Sequence, residues 1–322
     1  MQPQVRFKRE KFAAESNTVH SRAYIICMKL SIIGYGNLGK SLEKEIAKQR
    51  EHELVAIYSR RQLPHEKYRP LDTVASHDDC DVALIALGSY GDVLHYADGF
   101  KHLDTVDSFD THAKIGEYKA LLNTVKPHRL SIISTGWDPG LLSMIRGVFS
   151  VGADETATLW GVGVSQGHSN ALRTVEGVID AVQFTKPKSN AIELIKHGIT
   201  DGKKLHDRIC YVACTGADEE RVRSEIVTMA NYFEGYDTQV IFCEVSEIKR
   251  LKQNTEHRGQ VVTVGDGFET HSQVTLECNT NYTAKIMLEY AKAVPQLKSD
   301  GYRGALDVFD VPLRYIASNA LI

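Results

Sequence analysis

The chain has 322 residues, 43% hydrophobic and 25% charged, with 38 Lys and Arg against 41 Asp and Glu for a formal net charge of −3. That composition belongs to a globular protein able to bury a sizeable core and long enough for two domains. The charge balance leaves no basic footprint for nucleic acid or an anionic membrane, and no apolar run reaches the roughly 18 residues that span a bilayer.

Residues 1–27 begin basic, with Arg6, Lys8, Arg9 and Lys11, and end in an apolar stretch too short for a signal-peptide core. They read as a dispensable, poorly ordered extension. The first element is Met28–Ile33, a short apolar strand that runs into Gly34-Tyr35-Gly36-Asn37-Leu38-Gly39 and a helix towards Gln49. Strand, glycine turn and helix in that order make a dinucleotide-binding unit. The first glycine allows the tight turn, the second lets backbone approach the pyrophosphate, and the third lets helix and strand pack closely.

Glu53–Tyr58 reads as the second strand and ends in Ser59-Arg60-Arg61. No carboxylate stands there to hold a ribose 2′-hydroxyl, whereas two arginines and a hydroxyl suit a 2′-phosphate, so NADP is the expected cofactor. A solvated basic pair is the bland alternative. Asp81–Leu87 is a continuous apolar run, as in a strand buried on both faces, and it closes on Gly88-Ser89-Tyr90-Gly91. A strand at Asp104–Val106 leads to Asp107-Ser108-Phe109-Asp110, a helix is expected over His112–Val125, and a strand at Leu130–Ser134 closes on Thr135-Gly136-Trp137-Asp138-Pro139-Gly140. This alternation predicts an α/β, Rossmann-type, doubly wound parallel sheet over residues 28–147.

Past that point strands dominate: Thr156–Ser165, Val178–Thr185, Asp207–Cys214, Gln239–Val245, Gln260–Val264 and Ser272–Glu277, with helices near 190–197, 217–233 and 282–293. They predict a second α+β domain, residues 148–294, with a mixed or antiparallel sheet for substrate binding and dimerisation. Residues 295–322 are expected to pack back on the first domain. The six cysteines, Cys27, Cys80, Cys210, Cys214, Cys243 and Cys278, include no C-x-x-C. They read as reduced thiols of a cytoplasmic protein, with neither a disulfide framework nor a metal site.

Three loops leave the carboxyl ends of the predicted strands, which is where open α/β sheets bind ligands. Two of them carry acids, Asp110 and Asp138. Asp138 before Pro139 also has the pattern of a helix N-cap with proline at the first helical position, and Asp110 has a similar capping alternative. The second half offers Trp160, Ser165-Gln166-Gly167-His168, Arg208 and His257. Singly, each is more often structural: a strand arginine usually pairs with an acid, and a tryptophan is usually core.

Together these residues carry a resemblance. GYGNLGKSLE, YSRR, ALGS, VDSFDTH, STGWDPG, LWGVGVSQGHSNALR, VQFT, EGY and HRGQVVTVGD are similar to the motifs of the meso-diaminopimelate D-dehydrogenase family, from Met28 nearly to the C-terminus. The resemblance implies NADP-dependent oxidative deamination of the D centre of meso-2,6-diaminopimelate to L-2-amino-6-oxopimelate and ammonia, by a homodimer, in lysine and cell-wall precursor synthesis. It places cofactor contacts on Tyr35, Gly36, Asn37 and Leu38, on Ser59, Arg60 and Arg61, and on Ala86, Leu87, Gly88 and Ser89. Further cofactor contacts fall on Ser108, Phe109 and Asp110, and on Thr135, Gly136, Trp137, Asp138 and Pro139. It places substrate contacts on Asp110, Asp138, Trp160, Gln166, Gly167, Thr185, Arg208, His257 and Asn279, with Asp110 or Asp138 as the acceptor of the amine proton. Asn170, and Cys278 and Thr280 around Asn279, depart from the family pattern. The competing readings are another NADP oxidoreductase, of the dihydrodipicolinate reductase or saccharopine type, and a non-catalytic NADPH sensor.

Overall fold

A computed structural model describes residues 27–317 apart from 90, 217, 254 and 255, so the expected extension, Cys27 excepted, lies outside the described residues. The chain opens with β1 (Met28–Ile33), α1 (Asn37–Ala47), β2 (His52–Ser59), β3 (Tyr68–Pro70), β4 (Val82–Ile85), α2 (Asp92–Tyr96), β5 (Thr105–Asp107), α3 (Ile115–Val125), β6 (Leu130–Ile132) and α4 (Leu141–Phe149). These strands lie parallel in one seven-stranded sheet, in the order β14-β6-β5-β4-β1-β2-β3, with β14 (Gly304–Leu306) as its far edge. The order reverses between β1 and β4, so a crevice opens at their carboxyl ends. Alternation along β1 and β4 sends side chains into two cores. Leu30, Ile32, Val82 and Leu84 meet α1 on one face, and Ile33, Ala83 and Ile85 meet Phe109, Tyr118 and Leu122 on the other.

The second half continues with β7 (Glu155–Trp160), β8 (Gly163–Val164), α5 (Gln166–Leu172), β9 (Val178–Pro187), α6 (Ala191–Lys196), α7 (Gly202–Leu205), β10 (His206–Cys214), α8 (Glu219–Val227), β11 (Asp237–Phe242), α9 (Val245–Leu251), β12 (His257–Gly265) and β13 (Phe268–Leu276). The mixed and antiparallel pairing expected from the sequence is present, but in two sheets: β11-β10-β9-β8 and β13-β12-β7. The stretch Thr156–Ser165, expected as one strand, is divided between them. The break is at Gly161, which has φ +108 and lies so close to Thr185 that a Cβ would stand 2.0 Å from its carbonyl oxygen. The Gly161-Val162 peptide is cis. The predicted helix over 217–233 also ends early, at Val227, although Phe233 still fills the same core as Val222 and Ile226.

The last helix, α10 (Asn279–Ser299), is longer than the 282–293 expected. It falls mostly within the range assigned to the second domain, yet its apolar stripe of Ala284, Met287, Leu288, Ala291 and Val294 joins the core that contains Leu30, Ile32 and Leu84. That stripe lies beside α1 over the face of β4 and β5. The chain then adds β14 beside β6. The two halves also meet through Trp137, which packs with Leu142, Val261 and Leu276, and over Gly259. No helix among the described residues is long and apolar enough to cross a membrane.

Candidate active site

Gly34, at φ +102, leaves β1 so tightly that a Cβ would sit 2.5 Å from the Ala86 carbonyl oxygen, and a Cβ at Gly39 would sit 2.3 Å from the Gly34 oxygen. Gly36, by contrast, faces open space: nothing lies within 4 Å of its Cβ position. Two glycines are thus needed by the fold, and the middle one bares backbone at the start of α1, as a pyrophosphate requires. Around this turn a cavity of about 390 Å³ is lined by Tyr35, Ser59, Arg60, Arg61, Leu71, Ala86, Leu87, Gly88 and Asp92 besides Gly34 and Gly36. Asn37 is exposed on the first turn of α1, and Leu38 packs inward against the core.

Asp92 was not visible in the sequence as a site residue. It comes from α2 and takes both terminal nitrogens of Arg60, at 3.1 and 2.9 Å. Arg61 is bound only lightly, its side chain reaching the Tyr35 carbonyl at 3.5 Å while its backbone N–H donates to Ser59 Oγ at 3.1 Å. The Tyr35 hydroxyl donates to Glu43, and burial with that carboxylate pushes the phenol up to about 12.

The three expected loops converge on the same edge. Asp110 donates its backbone N–H to Ser89 Oγ at 3.1 Å; its side chain is exposed, and no partner for that carboxylate occurs among the described residues. Ser108 lies against Gly136, while Phe109 stacks on Tyr118 inside the core, so only the backbone of Phe109 faces the cleft. Thr135 is buried, with its hydroxyl on the Asp107 carbonyl.

Asp138 does not cap a helix. The helix after it starts at Leu141 with Gly140 as its N-cap, and Pro139, joined by a cis peptide, precedes it. Instead the Asp138 carboxylate, only 4% exposed, accepts from Ser143 at 2.9 Å, from Arg146 at 3.0 Å to each oxygen, and from Trp160 Nε1 at 2.6 Å. Ser143 and Arg146 lie one helical turn apart on α4 and face the same way. Trp160 is accordingly a half-buried donor at the join between the halves.

From Trp160 the site continues into the second half. Its backbone N–H donates to His206 Nε2 at 2.9 Å, and the rings lie 5.2 Å apart. Burial pushes the His206 imidazole down, and it therefore accepts from Trp160 as the neutral ring while Nδ1 donates to the Gly202 carbonyl. Two residues along the same face of β10 is Arg208, buried, with Nη1 donating to Thr185 Oγ1 and its guanidinium 4.2 Å from the centre of the Tyr236 ring. The usual acid partner of a strand arginine is absent among the described residues, and the buried Nε has no acceptor. Tyr236 is the residue this neighbourhood adds to the predicted set.

Gly167 is exposed on α5, whose N-cap Ser165 also bonds His168 Nδ1 at 2.6 Å; burial and then Arg208 push that imidazole down to about 3. Of Gln166 only the helical backbone is described. His257 begins β12 beside Gly163, and Asn279 opens α10 with its side-chain oxygen accepting from Thr283 at 3.2 Å. The arrangement places carboxylates at the cofactor edge and an under-satisfied cation across the join. It suits a zwitterion with an amine at one end and a carboxylate at the other. No group of three or more potential metal ligands occurs among the described residues.

A family description of the diaminopimelic acid dehydrogenase C-terminal domain matches residues 136–282. The meso-diaminopimelate D-dehydrogenase of Ureibacillus thermosphaericus is 37% identical over 306 residues, covering 88% of this chain and 94% of that protein. The chain belongs to the meso-diaminopimelate D-dehydrogenase family. The solved diaminopimelate dehydrogenase of C. glutamicum, in complex with diaminopimelate, superposes with a TM-score of 0.83 at 36% identity, over 90% of this chain and 96% of that one. An engineered D-amino acid dehydrogenase bound to NADP+ superposes at 0.79 with 34% identity, over 91% and 97%.

Proposed function

We propose that this enzyme oxidatively deaminates the D centre of meso-2,6-diaminopimelate with NADP+, giving L-2-amino-6-oxopimelate and ammonia, reversibly. The observation that carries the reading is the hydrogen-bonded run from Asp138 through Trp160 to His206 on β10, where Arg208 stands two residues further on with its Nε unfilled. NADP+ supplies the hydride acceptor when bound. Gly36, with Gly34 and Gly39 allowing the tight turn around it, would bring bare backbone to its pyrophosphate at the start of α1, and Ser59 and Arg61, with Arg60 steadied by Asp92, would hold its 2′-phosphate. Ala86–Ser89, Ser108–Asp110 and Thr135–Pro139 line the rest.

Arg208 and Thr185 bind the carboxylate of the L centre, with His257, Asn279, Gln166 and Gly167 around that end, and so set which stereocentre reaches the cofactor. Asp138 and Asp110 divide the reacting amine between them. Asp138 already accepts four hydrogen bonds and is fixed in place, so it orients the ammonium with Trp160. Asp110, whose carboxylate is uncommitted, takes the proton that the ammonium must lose before its carbon gives up hydride. The resulting imine takes up one water and releases ammonia. Orientation by the two halves supplies much of the rate.

We also assign residues 28–147 to nucleotide binding, completed by α10 and β14, and 148–278 to substrate binding. A homodimer is the proposed assembly, with β13 as an available sheet edge. The test is NADPH formation with meso-diaminopimelate against the LL and DD isomers. Activity with the meso isomer alone supports the reading; activity with none of the three refutes it.

A further inference from the structure

One buried acid stands outside the contacts assigned so far. Asp107 ends β5 at 2% exposure, directly below the Ser108–Asp110 loop. Its Oδ1 accepts the backbone N–H of Phe109 at 2.9 Å and that of Ser134 at 3.1 Å, which belong to two different loops. Its carbonyl oxygen accepts from the Thr135 N–H at 2.9 Å and the Thr135 hydroxyl at 2.8 Å. Its Oδ2 accepts from the Tyr118 hydroxyl at 2.8 Å. Ser134 is held with φ at +59, a conformation that costs a side-chain-bearing residue something and persists only where neighbours impose it.

A buried carboxylate needs acceptor duties of this kind, so loop anchoring for its own sake is the simplest account of it. The distribution of the bonds goes further. One oxygen is shared between the loop that carries Asp110 and the loop that carries Asp138. The bonded amide of Phe109 is one residue from Asp110 and that of Ser134 is four from Asp138. We infer that Asp107 is a positioning residue for the deamination, a single clamp that fixes Asp110 and Asp138 relative to each other. This rests on the proposed reaction. Burial pushes the Asp107 carboxyl up to about 6, while the two amides, Tyr118 and Lys126 pull the other way.

Displacing either acid by about 1 Å should cost on the order of 100-fold in the chemical step. The distal carboxylate, held by Arg208 and Thr185 on another sheet, stays anchored, so the loss falls on kcat with KM little changed. The experiment is single-turnover NADPH formation with saturating enzyme in excess over the substrate, because its rate constant there no longer depends on the folded fraction and its amplitude is set by the substrate. Asp107→Ala should lower that rate constant about 100-fold. Asp107→Asn keeps an oxygen for both amides and turns an N–H towards Tyr118, and it should recover to within about tenfold of wild type. Tyr118→Phe, which keeps the ring stacked on Phe109 and removes only the hydroxyl that donates to Oδ2, should stay within about threefold. If Asp107→Ala does not fold, Asp107→Ser is read in its place. A rate constant at saturating enzyme for the truncated variant within threefold of wild type overturns the inference, as does equal slowing in the Ala and Asn variants. Absence of NADPH formation by wild-type enzyme in the same experiment strikes the proposed reaction itself, and the clamp with it.

Discussion

Replacing Arg208 by Met separates a binding cation from a structural one. The guanidinium is 7% exposed, has one hydroxyl partner, one aromatic face and an unfilled Nε. Without substrate it is a desolvated charge with no counter-ion among the described residues, so a methionine of similar length should leave the fold as stable or make it more so. With substrate it is half of a buried ion pair. Removing one partner of such a pair costs about 2–4 kcal/mol, which at 1.36 kcal/mol per decade is roughly 30- to 900-fold. KM for meso-diaminopimelate should rise by that factor while the thermal midpoint holds or climbs. Steady-state kinetics and a thermal melt on the same preparation suffice. A rise below about tenfold, or a midpoint that falls while KM holds, would place Arg208 among the structural cations and refute the assignment of the distal end.

Arg61→Ala should weaken NADP+ by about 1.5–3 kcal/mol and NAD+ little, the scale of a hydrogen bond to a charged group; equal losses in fluorescence titrations would mean that Arg61 does not read the 2′-phosphate. Arg60→Ala strands the Asp92 carboxylate in the cleft, and adding Asp92→Asn should restore part of the lost affinity. Asp110→Asn should lower kcat by about 100-fold or more while the substrate still binds, and a kcat within tenfold of wild type would move the proton to another acceptor. Lys126, buried and pushed down to about 7 by desolvation, supplies a pH dependence. Between about 7 and 10 the unfolded chain holds a proton on this amine that the native chain has released, so stability rises with pH across that window. Lys126→Met should flatten the rise in chemical denaturation series; an unchanged slope would refute the account.

The parallel half was legible because its signals are local: apolar runs, a glycine turn, and alternation of strand and helix. β14 was not, since three residues carry no period, and its place is set by the open edge of β6. The split at Gly161 was equally hidden, because the Thr185 carbonyl that requires a glycine there lies 24 residues away in sequence. Among site residues, the glycines and Ser59-Arg60-Arg61 announced themselves by register. The partners of Asp138 did not: capping was the economical reading of Asp before Pro, and only tertiary structure brings Trp160 across to α4. A serine and an arginine three apart on one helix face after STGWDPG, however, were readable in retrospect. Asp92 and Tyr236 had no such mark, since each acts on an arginine far away along the chain.

Gly259 lies opposite the Trp137 ring, where a Cβ would come within 2.7 Å of the indole and 2.8 Å of Leu142. A tryptophan adjoining Asp138 on one half is thus complemented by a missing side chain on the other. The halves are therefore not freely exchangeable parts. A chimera that grafts this nucleotide-binding half onto a foreign substrate-binding half must bring glycine at the facing strand, or the indole will be displaced and will carry Asp138 with it.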